Sequence, residues 1–158
     1  MVNASPLIVL AKVGQINLLS AIAGEIVIPR AVAQEIAAGP ADDPARIWLS
    51  KQEQLVVDVH TLLPELWAWD LGAGETAVMA YALANEGWTA VIDDNAARKC
   101  AHSFRIPVKG TLAVVILARQ KGLINSAAAV LRQMQQNDYR IHEAIVRDAL
   151  ARTVGEDW

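Results

Sequence analysis

Only one cysteine, Cys100, occurs in the 158 residues, so no internal disulfide can form, and its place in an Ala-rich stretch suits a buried, inert thiol. Histidine is nearly as scarce. His60, His102 and His142 stand at spacings that pair them with no nucleophile, which leaves no catalytic triad to read. Long apolar runs are missing: none approaches the roughly 20 residues of a membrane span. The first residues also lack a charged region followed by an apolar signal core, so a reducing cytoplasm is the expected setting and no membrane partner is expected. Positive charge is not in excess. The net charge of −3 argues against a broadly basic nucleic-acid binder, but not against an enzyme that meets nucleic acid through a metal and a local basic patch. A Walker phosphate loop is absent too, because no Lys-Ser/Thr follows Gly72-Ala73-Gly74.

What is present is apolar and regularly punctuated. Hydrophobic residues make up 54% and charged residues 20%, which excludes a disordered chain and allows a sizeable core. The five tryptophans add apolar area, either for a generous core or for a surface covered by a partner or a second copy. The N-terminal residues 1–3 read as a very short strand, Ser5-Pro6 as a helix start and Gly14 as its end. A second helix spans 15–23, a strand 25–28 closed by Pro29, and a third helix 29–38. Asp42-Asp43-Pro44 caps a segment over 45–51. Residues 55–59 are near-continuously apolar, as in a strand covered on both faces, and 60–70 reads as a linker. A long helix follows over 73–86, a strand over 88–92, a helix over 94–103 and a short strand over 106–108 whose Pro107 suggests an edge. Helices over 112–120, 126–136 (with Asn125 as cap) and 141–152 complete the chain, and Val130, Leu131, Met134 and Ile145 recur at helical spacing. Strands alternating with helices predict βαβ units, a parallel sheet and one domain over 1–158.

The chain is organised around Val91-Ile92-Asp93-Asp94, a strand running into two adjacent acids and then a helix start, Asn95-Ala96-Ala97-Arg98. The carboxyl end of a strand in an open α/β sheet is where sites are built. One of the two acids can serve as a helix cap, which needs only one. Two carboxylates side by side repel unless a cation or hydrogen bonds offset them. Glu75, after Gly72-Ala73-Gly74, opens another helix, where the macrodipole favours a negative charge with or without a ligand. Glu35 sits amid Ala33, Ile36 and Ala37, as compatible with a solvated face as with a site. Asp42-Asp43 and Glu156-Asp157 read as solvated charges.

With these landmarks in place the sequence resembles the PIN-domain proteins, most closely a prokaryotic branch of predicted nucleic acid-binding function. The resemblance rests on Asn3-Ala4-Ser5-Pro6-Leu7-Ile8 through Gly14, Val27-Ile28-Pro29, Gly72 to Glu75, Ile92 to Arg98, and Lys109-Gly110-Thr111, in order over about the first 124 residues. It implies a three-layer α/β/α sandwich with a central parallel sheet. It also implies an acid cluster that holds Mg²⁺ or Mn²⁺ for RNA hydrolysis, a small antitoxin protein as partner, and a homodimer. Carried over by residue, the site positions are Asn3, Glu35, Glu75 and Asp94, with Asp93 as a neighbour that joins them. Ser5, Arg98 and Thr111 lie at the site's edge, and Lys12, Lys99, Arg105 and Lys109 are nearby cations. Asn3 departs from the pattern, since active relatives carry Asp there. Its carbonyl oxygen suits a hard cation but brings no charge. The expected function is therefore a metal-dependent ribonuclease, with a catalytically weak binding module as the alternative. A receiver-like phosphoacceptor fits poorly, because its acid pair would follow the first strand and here the pair comes late.

Overall fold

The breaks written in the sequence set the helices of the computed structural model, which describes residues 1–60 and 63–158. Helix α1 (Ala4–Lys12) takes Pro6 in its first turn, where a missing N–H costs nothing, and ends before Gly14, whose φ of 69° reverses the chain. Then follow α2 (Leu18–Ala23), strand β1 (Ile28–Pro29), α3 (Arg30–Ala37), α4 (Pro44–Leu49), a 3₁₀ turn at Glu53–Leu55 and β2 (Val56–Val57). The second half holds α5 (Pro64–Trp67), α6 (Ala73–Ala84), β3 (Ala90–Val91), α7 (Asn95–Ser103), β4 (Val108–Lys109), α8 (Thr111–Gln120), α9 (Ala127–Gln136) and α10 (Glu143–Thr153).

The molecule is α/β with parallel pairing, as the alternation of elements predicts. β1 pairs with β2 (Ile28 with Val56, Pro29 with Val57) and β3 with β4 (Ala90 with Val108, Val91 with Lys109). The ladders are two separate two-stranded sheets where one central sheet was expected. Their brevity has a local cause: helices start directly at Arg30 and, after the single residue Gly110, at Thr111, which leaves little extended chain to pair. Residues 1–3 make a single bridge, Val2 with Val91, in place of a strand. They still run between the sheets, Val2 N–H donating to Val27 O at 3.1 Å and Asn3 N–H to Val91 O at 3.0 Å. This seats Asn3 beside the carboxyl end of β3.

Several expectations need correction. Val56 and Val57 are half-buried, so β2 is not covered on both faces. The expected linker contains α5, and the part of that reading on Thr61 and Leu62 lies outside the described residues. Ser126, not Asn125, caps α9, its hydroxyl accepting from Ala129 N–H at 3.1 Å. Of the helical stripe, Val130, Leu131 and Met134 belong to the core, whereas Ile145 is 59% exposed. The core runs from Leu7 and Leu10 through Ile28, Met79 and Ile92 to Leu131 and Leu150. Cys100 is buried within it, which pushes its thiol pKa up. Among the described residues no helix is long and apolar enough to cross a membrane.

Glu156 is not a solvated charge. Its carboxylate accepts from Ala128 N–H (2.9 Å), Ala127 N–H (3.2 Å), the Ser126 hydroxyl (2.7 Å) and Arg119 Nε (2.8 Å), satisfying the open donors at the start of α9. Desolvation pushes its pKa up, but these hydrogen bonds outweigh it and hold the group at about 2, below its ordinary 4.5. The stabilisation is therefore complete above the ordinary value and is lost as pH falls from there toward the folded value. Glu156→Gln is expected to cost about 1–2 kcal/mol at pH 7, after discounting for the solvent that reaches the group. Urea unfolding at pH 7 and pH 3 measures this, and the gap between wild type and variant should narrow at pH 3. An equal gap at both pH values would mean that the charge contributes nothing.

Candidate functional site

Asn3 stands at the N-cap position of α1, yet its side chain does not cap the helix. It is 2% exposed, and its Nδ2 donates to Glu75 Oε1 at 2.7 Å. Its Oδ1 is buried with no hydrogen-bond partner. A buried acceptor left unpaired costs roughly 1–3 kcal/mol, so such an atom marks a place built for something else. Glu35 reaches the same place from α3, where its Oε1 accepts from Gly74 N–H at 2.9 Å, one of the open donors in the first turn of α6.

Gly74 is the centre of this arrangement. A Cβ on it would lie 2.7 and 2.8 Å from the two Glu35 carboxylate oxygens and 3.0 Å from Asn3 Oδ1. Three oxygens thus border one small space beside the start of α6. Gly72 plays a parallel part, since a Cβ there would meet Glu75 Oε2 at 2.5 Å. Gly72 has φ −61° and ψ 164°, a conformation open to any residue. The Gly-x-Gly step is therefore glycine for room against carboxylates, not for a left-handed turn.

Asn3, Glu35 and Glu75 line a cleft of about 410 Å³, with Ser5 and Lys12 of α1 also on its wall. The turn between α9 and α10 brings in Asn137, Asp138 and Tyr139. No motif in the sequence pointed to these three, because that turn meets the cleft only through tertiary packing. A larger cavity of about 510 Å³, lined by side chains such as Leu19, Ile22, Trp88 and Leu117, holds none of the predicted acids.

Asp93 and Asp94 are placed differently and do not line that cleft. Both oxygens of Asp93 are engaged by Thr111, from its N–H at 2.7 Å and its hydroxyl at 2.6 Å, which ties the end of β3 to the start of α8. Thr111 is fully buried, so its hydroxyl is committed to this tie. Arg98 folds back over the strand end, Nη1 donating to Ile92 O at 3.2 Å. Burial, then the charge of Asp93, raise the Tyr139 pKa well above the ordinary phenol range, and its hydroxyl stays protonated. Asp94 is exposed and caps α7, Oδ1 accepting from Ala97 N–H at 2.8 Å. The cap role weighed for one member of the pair falls to Asp94.

Among the described residues, no three Asp, Glu, His or Cys side chains gather as a metal-holding group. Asn3, Glu35 and Glu75 instead offer two carboxylates and one amide oxygen. All are hard oxygen ligands of the kind Mg²⁺ and Mn²⁺ prefer, and Asn3 Oδ1 is a buried acceptor with no hydrogen-bond partner. The residues present therefore fit a divalent cation, held more weakly than by three acids. A family model described as a PIN domain matches residues 1–155. No curated protein and no solved structure matches the chain.

Proposed function

Because the chain belongs to the PIN-domain family, with the nuclease-like fold that membership carries, we propose that it is a metal-dependent ribonuclease hydrolysing RNA phosphodiester bonds. The observation that carries this is the buried, unpartnered Asn3 Oδ1 facing the same space as the Glu35 carboxylate, with Glu75 alongside. Asn3, Glu35 and Glu75 are the residues that would hold Mg²⁺ or Mn²⁺. When bound, the cation supplies a Lewis acid that offsets phosphate charge and makes water acidic enough to attack phosphorus. Glu35 and Glu75 provide the negative charge that draws it in, and the backbone N–H of Gly74 orients Glu35. Lys12, exposed on the cleft wall, is placed to meet an RNA phosphate, and Ser5 to hydrogen-bond one. At the end of β3, Asp94 caps α7 and stands outside the lining of the cleft. Asp93, held by Thr111, sets the geometry of that strand end together with Arg98.

The same proposal takes the two ladders and residues 1–3 as the central layer of a three-layer α/β/α sandwich in a single domain. It also makes the protein a cytoplasmic toxin, held inactive by a small antitoxin and forming a homodimer. Exposed apolar side chains such as Trp67 (64%) and Ile145 (59%) supply surface for those contacts. Asn3 itself supports a second reading, a catalytically weak binding module. Its amide adds no charge, and its Nδ2 already occupies an oxygen of Glu75. Calorimetric titration of Mn²⁺ into the protein, run beside an RNA cleavage assay, separates the two. Saturable binding with cleavage that stops on chelation supports the ribonuclease; binding without cleavage supports the module. Absence of saturable binding would sink the metal-dependent reading.

A further inference from the structure

The cavity of about 510 Å³ shares no lining residue with the acid-bearing cleft, and the function proposed above makes no use of it. Helices α2 and α8 form two of its sides with Leu19, Ile22, Val114 and Leu117, and Trp88 forms another. Leu19 and Val114 are buried although they border this much open space, so the cavity is a recess into the fold and not a flat apolar face. Its walls are set in advance. The Trp88 ring stands edge-on to Tyr81, with centroids 5.5 Å apart and planes at 88°. Lys121, just past α8, ties that helix to α2, Nζ donating to Ile22 O at 3.1 Å. Small-molecule sites are apolar recesses of about 300–1,000 Å³, and water finds few hydrogen-bond partners on such walls. The charged side chains of the lining are Glu25, Glu86 and Lys109, all exposed and so at its mouth. Among the described residues none of the three is in an ion pair, and carboxylates outnumber the ammonium two to one.

We infer that this recess binds a small apolar molecule with one cationic end, an alkyl or aryl amine by chemical class. Its tail lies between α2 and α8 beside Trp88, and its ammonium sits at the mouth with Glu25 and Glu86. The tail supplies most of the affinity by leaving water. The carboxylates are solvated, so they select the sign of the head with a modest preference. The buried walls favour a free small molecule over a segment of another protein, which needs an exposed face to lie on. The inference is independent of the ribonuclease reading, because no residue is shared between the two sites.

The test is titration of n-octylamine and n-octanoate, each below its micelle-forming concentration, into isotopically labelled protein. Nuclear magnetic resonance follows the Trp88 indole N–H signal, which Trp88→Phe identifies. The expected result is a saturable shift of that signal by n-octylamine, with a Kd of about 1 mM or tighter, and binding of n-octanoate at least about threefold weaker. Glu86→Gln should narrow the gap between the two probes. Leu117→Trp, which puts a larger side chain into the recess, should weaken n-octylamine about tenfold. A thermal melt verifies the fold of both variants, and the comparison of the two probes in wild type decides the matter if either fails to fold. Absence of a saturable shift overturns the inference, as does n-octanoate binding as tightly as the amine. A shift that fades as protein concentration rises would mean that a second copy fills the recess, and overturns it too.

Discussion

Gly74→Ala is expected to lower Mn²⁺ affinity by about a hundredfold while costing the fold only about 0.5–2 kcal/mol. The two effects come apart because of what the new methyl group meets. It would lie 2.7 and 2.8 Å from the two Glu35 oxygens, closer than real contacts allow, and 3.0 Å from Asn3 Oδ1, a tight contact. Asn3 is 2% exposed and fixed on Glu75, so it cannot retreat. Glu35 is exposed and can swing into water, and it is the group that leaves. Its departure forfeits the charged hydrogen bond from Gly74 N–H, worth roughly 1.5–3 kcal/mol. Alanine in the first turn of α6 returns up to about 1 kcal/mol through helix propensity. Stability therefore moves little, whereas the cation site loses a carboxylate and part of its space. Mn²⁺ titration and a urea melt of the same preparation check both parts. Wild-type affinity in the variant would show that Glu35 is not a ligand.

The helix ends were legible because their signals are local. Gly14 after α1 and an Asp just before α7 each act within a few residues, and the structure places them accordingly. Strand lengths were not legible. Apolar runs such as 55–59 look like full strands, but how many of their residues pair is decided by where the flanking helices begin. The site splits along the same line. Asn3, Glu35 and Glu75, drawn from three parts of the chain, line one cleft. The pattern could not show that Asp93 is spent on Thr111, 18 positions later, or that Glu156 caps α9 from nearly 30 residues away. Nor could it show Asp138 and Tyr139 reaching the cleft. Such pairings between distant polar residues leave no periodicity to read, since each partner alone resembles an ordinary surface residue.

Asn3→Asp is expected to make the metal-free protein less stable and the metal-bound protein tighter, a trade that only a true cation site produces. In wild type the buried amide donates to Glu75 Oε1 at 2.7 Å. A carboxylate there cannot donate when ionised. It would face Glu75 as a like charge in a place almost without water, at a cost of about 2–4 kcal/mol. A divalent cation reverses the sign of that interaction, since the added charge becomes a ligand charge. Mn²⁺ affinity should rise about tenfold or more, and with it any RNA cleavage. Ligand linkage then makes the stabilisation by Mn²⁺ larger in the variant, growing with the logarithm of concentration over Kd. Thermal melts with chelator and with saturating Mn²⁺ measure this. The variant should melt below wild type in chelator and show the larger upward shift with metal. Equal Tm values in chelator together with equal shifts would mean that position 3 does not border a cation, and that its buried oxygen is unpaired for another reason.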